Sequence, residues 1–282
     1  MFSKKRFVVF ISKQFIDPGF VTIGSEPFFD GGEAFRYTKE TLADGLKKIQ
    51  TISKEKMRIV LGEEFVYVTE LSFPHGTTIT RELVREKAEE VIPENLKQTE
   101  WDFQTLHYKE KTKDTDTILV QVAVIEKSFS ESFRQALAVT PLSIEAIYPE
   151  SYVLANLEIE ESEVVIIIEQ DRELTVLCAV LDGFVVATRV KKDAITTEDV
   201  RGFLSFLSTY KGKSPKKIFL SHCGEENLLK DLSLEGYEVR VKEYNPLVGA
   251  ALLEKISGED EEILNIDIFS SIEKKAWWRI FK

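Results

Sequence analysis

Apolar and polar positions follow two rhythms along this chain, and the clearer one lies in the second half. Residues 164–168 are an unbroken run of β-branched side chains, Val-Val-Ile-Ile-Ile, which predicts a strand buried on both faces. The polar stretch 169–173 is expected to break it, residues 174–181 form a second strand, and Asp182-Gly183 is a favoured hairpin turn into a third strand over 184–190. Thr196-Thr197-Glu198-Asp199 then opens a helix, with hydroxyls available to cap its first turn at about 1 kcal/mol. Val200, Phe203, Leu204 and Leu207 recur at helical spacing on one side of it. A strand over 217–220, a helix over 226–232 and a strand over 237–241 follow, and Asn245-Pro246 starts a last helix over 247–256.

The middle of the chain reads differently. A strand pair over 57–73 is interrupted at Gly62, and a helix over 79–92 carries Ile79, Leu83, Ala88 and Val91 to one side. Strands over 101–108 and 117–125 flank a charged turn at 109–116, Ser128-Phe129-Ser130-Glu131 reads as a capping box for a helix over 129–139, and a strand over 142–147 follows. The result is a self-contained β-α-β-β-α-β unit, punctuated by Pro141 and Pro149. Ahead of it come a strand over 7–11, a Gly- and Pro-rich stretch over 17–32 and a helix over 38–49. The expected organisation is a short first half over 1–56, an inserted module over 57–149, a second half over 150–257 and a tail over 258–282.

Composition narrows the function classes. With 43% hydrophobic residues the 282-residue chain can bury a large core, while a net charge of −11 opposes a phosphate backbone and argues against a nucleic-acid partner. Two cysteines, Cys178 and Cys223, support no disulfide framework and suit a reducing compartment. The apolar run after the basic start is too short for a signal peptide, and no stretch has the length to cross a bilayer, so a cytoplasmic protein is expected.

The three-strand meander followed by alternating helices and strands matches the ribonuclease H-like arrangement, of which actin-like proteins hold two copies. Four phrases carry a closer likeness: Leu71-Ser72-Phe73-Pro74, the charged helix ending Val91-Ile92-Pro93, Trp101-Asp102-Phe103, and Tyr244-Asn245-Pro246-Leu247-Val248-Gly249-Ala250-Ala251-Leu252. Over about residues 25–256 the chain resembles the PilM family of type IV pilus assembly, and more distantly the FtsA and GspL families. The resemblance implies an α/β, two-lobed actin-like fold with an inserted module of the SHS2 type. It also implies a cytoplasmic protein, peripheral to the inner membrane, that binds the short N-terminal segment of a PilN-like membrane protein. An extended peptide could be held by adding to a strand edge, which needs no catalysis.

Actin-like ATPases hold phosphates with two Asp-x-Gly turns, one at each first hairpin, the glycine letting backbone N–H groups approach the phosphate. The second turn falls at Glu169-Gln170-Asp171, where Asp171 replaces glycine; a carboxylate about 4 Å from a phosphate is repelled by about 4 kcal/mol at an effective dielectric of 20. The first hairpin runs through Ser12-Lys13-Gln14 without the motif, and Asp17-Pro18-Gly19 reads as an ordinary turn. The adenine-loop position, Ser221-His222-Cys223-Gly224, keeps one glycine. The expectation is a pseudo-ATPase with no cofactor, no metal and no catalytic residue.

His222 beside Cys223 suggests a nucleophile, but a loop following a strand explains it as well, and His75, His107 and Cys223 lack metal-ligand spacing. Glu169, Asp171 and Glu173 resemble a nuclease's acidic cluster, yet a solvated hairpin tip suffices. In the final segment Trp277, Trp278, Arg279 and Phe281 suit a membrane interface or partner groove, and equally a tail folded onto its own domain. The alternatives are an active actin-like ATPase, or the cytoplasmic part of a GspL-like membrane protein with Trp277-Trp278 next to its span.

Overall fold

The computed structural model describes residues 4–92, 95–106, 117–140, 142–157, 163–171, 174–181, 183–212, 214–223 and 226–253. The chain divides into two compact units: the described residues of Met1–Glu150 and Ala250–Lys282 form one, and those of Ser151–Gly249 the other.

The first unit is built on strands β1 (Lys4–Ile11), β2 (Phe15–Ile23), β3 (Phe28–Gly31) and β4 (Phe35–Arg36), helix α1 (Leu42–Ile52), and strand β5 (Met57–Leu61). It continues with β6 (Val66–Pro74), α2 (Arg81–Ala88), β7 (Trp101–Leu106), β8 (Thr117–Ile125), α3 (Lys127–Val139) and β9 (Ile144–Pro149). The main sheet runs β3-β2-β1-β5-β9, with β4 also paired to β2. Every residue of β5 is buried, because it lies between β1 and β9 and runs parallel to both.

That placement corrects the expected domain boundaries. The strands beginning at Met57 and ending at Pro149 belong to the main sheet, so the inserted element is smaller than 57–149 and the first half is larger than 1–56. Gly62 does not interrupt a hairpin; there the chain leaves the main sheet for a separate three-stranded antiparallel sheet ordered β6-β8-β7. One face of that sheet packs Leu71, Phe73, Val120 and Val122 against Val84 and Ala88 of α2, giving β-α-β-β rather than β-α-β-β-α-β. Helix α3 returns to the main sheet, packs beside α1 and leads into β9, much as α1 leads into β5.

Two local expectations also change. The capping box at Ser128–Glu131 is not formed: α3 starts at Lys127 with Glu126 as N-cap, and the Ser128 hydroxyl donates to Glu126 Oε1 at 2.7 Å. The helix begins early because Glu126 N–H donates to the Phe65 carbonyl (2.7 Å) and the Phe65 ring stacks on Phe129 with centroids 3.9 Å apart. Asp17-Pro18-Gly19 is not a turn but part of β2, opposite Phe10, Val9 and Val8. A Cβ at Gly19 would lie 2.3 Å from the Phe29 ring of the neighbouring strand, so the glycine marks a close cross-strand approach.

Helix α4 (Glu150–Asn156) follows β9, and the second unit then carries β10 (Val165–Asp171), β11 (Leu174–Leu181), β12 (Phe184–Lys192), α5 (Thr197–Lys211), β13 (Lys217–Ser221), α6 (Glu226–Leu234) and β14 (Glu238–Val241). Its sheet runs β12-β11-β10-β13-β14, an antiparallel meander extended by two parallel strands. The expected order is therefore met. The β-branched run is buried throughout, and Val200, Phe203, Leu204 and Leu207 form the buried side of α5. Thr196 makes the capping box, its hydroxyl accepting from the Asp199 N–H while the Asp199 side chain accepts from the Thr196 N–H. Helix α7 (Pro246–Leu252) starts where Asn245 Oδ1 accepts from the N–H groups of Leu247 (2.9 Å) and Val248 (3.3 Å).

Candidate functional site

In an open α/β sheet the ligand crevice lies beyond the carboxyl ends of the parallel strands. In the second unit β10 and β13 are such a pair, and their register sets Glu169 directly opposite Ser221. The Glu169 side chain is only 4% exposed, and its Oε1 lies 3.1 Å from Nδ1 of the half-exposed His222. The same Nδ1 is 3.1 Å from Ser221 Oγ, which also accepts from the Tyr244 N–H at 3.0 Å. A buried carboxylate needs such partners, because an isolated one carries a desolvation penalty of several kcal/mol. His222 reaches Glu169 from a left-handed backbone, φ +53°, an uncommon conformation for a side chain with a Cβ.

This geometry does not form a Ser-His-acid relay. A relay presents the hydroxyl to one ring nitrogen and the acid to the other, whereas here both oxygens meet Nδ1, which holds one proton or one lone pair. Cys223 turns back onto the strand ends, its Sγ 3.5 Å from the Ile168 carbonyl and 3.3 Å from that of Ser221. Among the described residues, no group of three or more His, Cys, Asp or Glu side chains is arranged to hold a metal ion.

The predicted site residues thus come together in part. Glu169, Ser221 and His222 converge. Glu169, Gln170 and Asp171, expected in a turn that breaks the strand, instead continue β10 opposite Val176, Thr175 and Leu174, since the ladder to β11 holds their backbone extended. Gly224, Trp277, Trp278, Arg279 and Phe281 lie outside the described residues.

Sequence reasoning missed a second cluster, in the first unit at the β1–β2 turn. Ser12 N–H donates to the Phe15 carbonyl (2.9 Å), and Phe15 N–H donates to Ser12 Oγ (3.1 Å), closing a tight reversal. The Lys13 N–H donates to the Glu64 carboxylate, 2.6 Å from Oε1, and Lys13 Nζ sits 3.7 Å from the Glu126 carboxylate. Tyr37 donates to the Ser12 carbonyl from beneath (2.5 Å); burial first, and then the negative charge of Glu64, push its phenol well above the usual range. Glu64 reaches the turn from the single 3₁₀ turn Glu63–Phe65 that follows β5. Gly62 makes that possible, since a Cβ there would lie 2.5 Å from Glu64 Oε2. The signal in the sequence was Gly62-Glu63-Glu64 directly after a buried strand, but the 51-residue separation from Lys13 hid it.

No family model and no curated protein sequence matches the chain. Solved structures do. A chain of a PilM-PilN type IV pilus biogenesis complex aligns with a TM-score of 0.64 at 16% identity, over 86% of this chain and 89% of that one. The cytoplasmic domain of EpsL, an inner membrane component of the type II secretion system of Vibrio cholerae, aligns with a TM-score of 0.56 at 12% identity, over 90% and 97%. A Bacteroides thetaiotaomicron protein described as having an actin-like ATPase fold and unknown function aligns with a TM-score of 0.57 at 11% identity, over 89% and 97%. The chain has the actin-like ATPase fold.

Proposed function

We propose that this chain is a non-catalytic, PilM-like scaffold of type IV pilus or related secretion machinery, working on the cytoplasmic face of the inner membrane. Its partner is the N-terminal cytoplasmic segment of a PilN-like membrane protein, and it neither binds nor hydrolyses ATP. The likeness to a PilM-PilN complex supports the assembly and the partner.

The observation that carries the pseudo-ATPase reading is the Glu64 carboxylate on the Lys13 N–H. The first hairpin turn is where an actin-like ATPase offers backbone N–H groups to a phosphate, and here that donor is already satisfied by an anion of the chain's own. A phosphate brought to the turn would have to displace Glu64 or sit against its charge, a repulsion of several kcal/mol at contact distance in a partly buried site. At the second hairpin the carboxylate of Glu169 is turned to His222.

The test has two arms. Isothermal calorimetry with Mg-ATP should give no heat of binding, and micromolar binding would overturn the pseudo-ATPase reading. The immobilised N-terminal peptide of the PilN-like protein from the same organism should retain the chain while a scrambled peptide does not. Equal retention by both peptides would overturn the partner assignment.

The EpsL likeness, which spans 97% of that domain, favours a second reading, the cytoplasmic part of a GspL-like membrane protein. Reading the gene beyond the codon for Lys282 separates the two, since an apolar spanning segment there selects the second.

A further inference from the structure

Strand β14 closes one side of the second unit's sheet, and among the described residues no strand lies beside its outer edge. The Glu238 N–H donates to the Lys216 carbonyl at 2.8 Å and the Lys242 N–H to that of Leu220 at 3.0 Å. The backbone groups of Glu238, Arg240 and Lys242 therefore face β13. Because these groups alternate in direction along a strand, those of Val239 and Val241 point away from the sheet. Val241 is 66% exposed on one face. Glu238 and Arg240 are exposed on the other, where the Arg240 guanidinium donates to Glu238 Oε1. Sheet edges are commonly blunted by charges or proline that repel or block a second edge. This edge instead carries both signs, at positions two residues apart.

We propose that this edge pairs with the same edge of a second copy of the chain, antiparallel about a two-fold axis at Val239. The two Val239 residues then exchange N–H···O bonds, and each Val241 N–H reaches the Tyr237 carbonyl of the other copy. Glu238 falls opposite Arg240 of the second copy, and by symmetry Arg240 falls opposite Glu238, with Cβ atoms about 4.5–5.5 Å apart. On the other face Val239 meets its own counterpart and Tyr237 covers the exposed Val241. Charge selects this register. An axis at Arg240 would pair Glu238 with Lys242 but set two arginines face to face, and an axis at Val241 would set Arg240 against Lys242. With the axis at Val239, Lys242 falls opposite Gly236. Glu243 falls opposite Glu235, whose charge is already paired with Arg201. The strand has four residues, so the interface is small and the dimer weak and concentration-dependent. This proposal does not depend on the scaffold reading.

Sedimentation equilibrium of the full chain between about 1 μM and about 1 mM tests it. The parent should pass reversibly from monomer to dimer. Glu238→Arg and Arg240→Glu should each weaken the dimer at least about tenfold, since symmetry turns both attractive pairs into repulsive ones. Mixed together, the two single variants should form a heterodimer about as tight as the parent dimer, and a chain carrying both substitutions should recover the homodimer. Val241→Pro removes an amide directed away from the ladder, so it should melt with the parent while losing the dimer. A parent that stays monomeric throughout would overturn the proposal. So would a dimer unchanged by the single reversals, mixed variants that associate no better than either alone, or a folded Val241→Pro chain that dimerises like the parent.

Discussion

At the scale of single residues, charge and capping decide the measurable effects. Asp199 is held down to about 2, first by Lys191 and then by the Thr196 hydroxyl. A carboxyl whose folded value is depressed adds stability above its unfolded value near 3.9, and that stability is lost as pH falls toward 2. The Asp199 side chain is about a third exposed, at 30%, so water limits the gain from its ion pair to about 1 kcal/mol or less. Thr196→Ala removes the hydroxyl acceptor of the capping box and should lower stability by about 1 kcal/mol in urea unfolding at pH 7. Asp199→Asn should flatten the acid limb of the stability curve between about pH 4 and 2. Asp102 is the opposite case: burial outweighs the Arg81 guanidinium 3.2 Å away and raises it. Ionised Asp102 therefore weighs against the fold above the carboxylate range and ceases to do so once protonated. Asp102→Asn should melt no lower than the parent at pH 7, and any advantage should vanish as pH falls through that range.

At the scale of elements, the β5 strand organises the first unit. Its only charged residue, Arg58, is 1% exposed, pairs with Glu145 at 3.0 Å and donates to carbonyls at the end of α7. Breaking a buried charged network from one side leaves its partners stranded, an effect of about 3–5 kcal/mol. Arg58→Ala should accordingly lower the denaturant midpoint far more than any surface substitution. The sequence carried the strand itself, since Met57, Ile59, Val60 and Leu61 are apolar. It did not carry the strand's neighbours: an apolar run pairs equally well with the next strand in sequence or with one 87 residues away, and here Ile144–Pro149 won. The misplaced capping box has the same origin, because a ring stack between Phe65 and Phe129 outweighed the local serine signal.

At the scale of the whole molecule, the proposed indifference to nucleotide is measurable. Any ligand that binds only the folded chain stabilises it, by about 2.7 kcal/mol when present at a hundredfold excess over its dissociation constant. Millimolar Mg-ATP or Mg-ADP should leave the melting temperature of this chain unmoved, and a rise of several degrees would mean that Glu64 yields to phosphate.

The order of strands and helices in the second unit, its buried β-branched strand and the caps at Thr196 and Asn245 were all determined by the sequence alone. Each is written in neighbouring residues, through side-chain period or backbone chemistry, and needs no distant partner. Only the tertiary structure decided that β5 and β9 close the main sheet, that Glu169 meets His222 across 53 residues, and that Glu64 occupies the donor of the first turn. Those contacts join residues far apart in the chain, and which distant groups meet is settled by the packing of whole elements, a quantity that local periodicity does not contain.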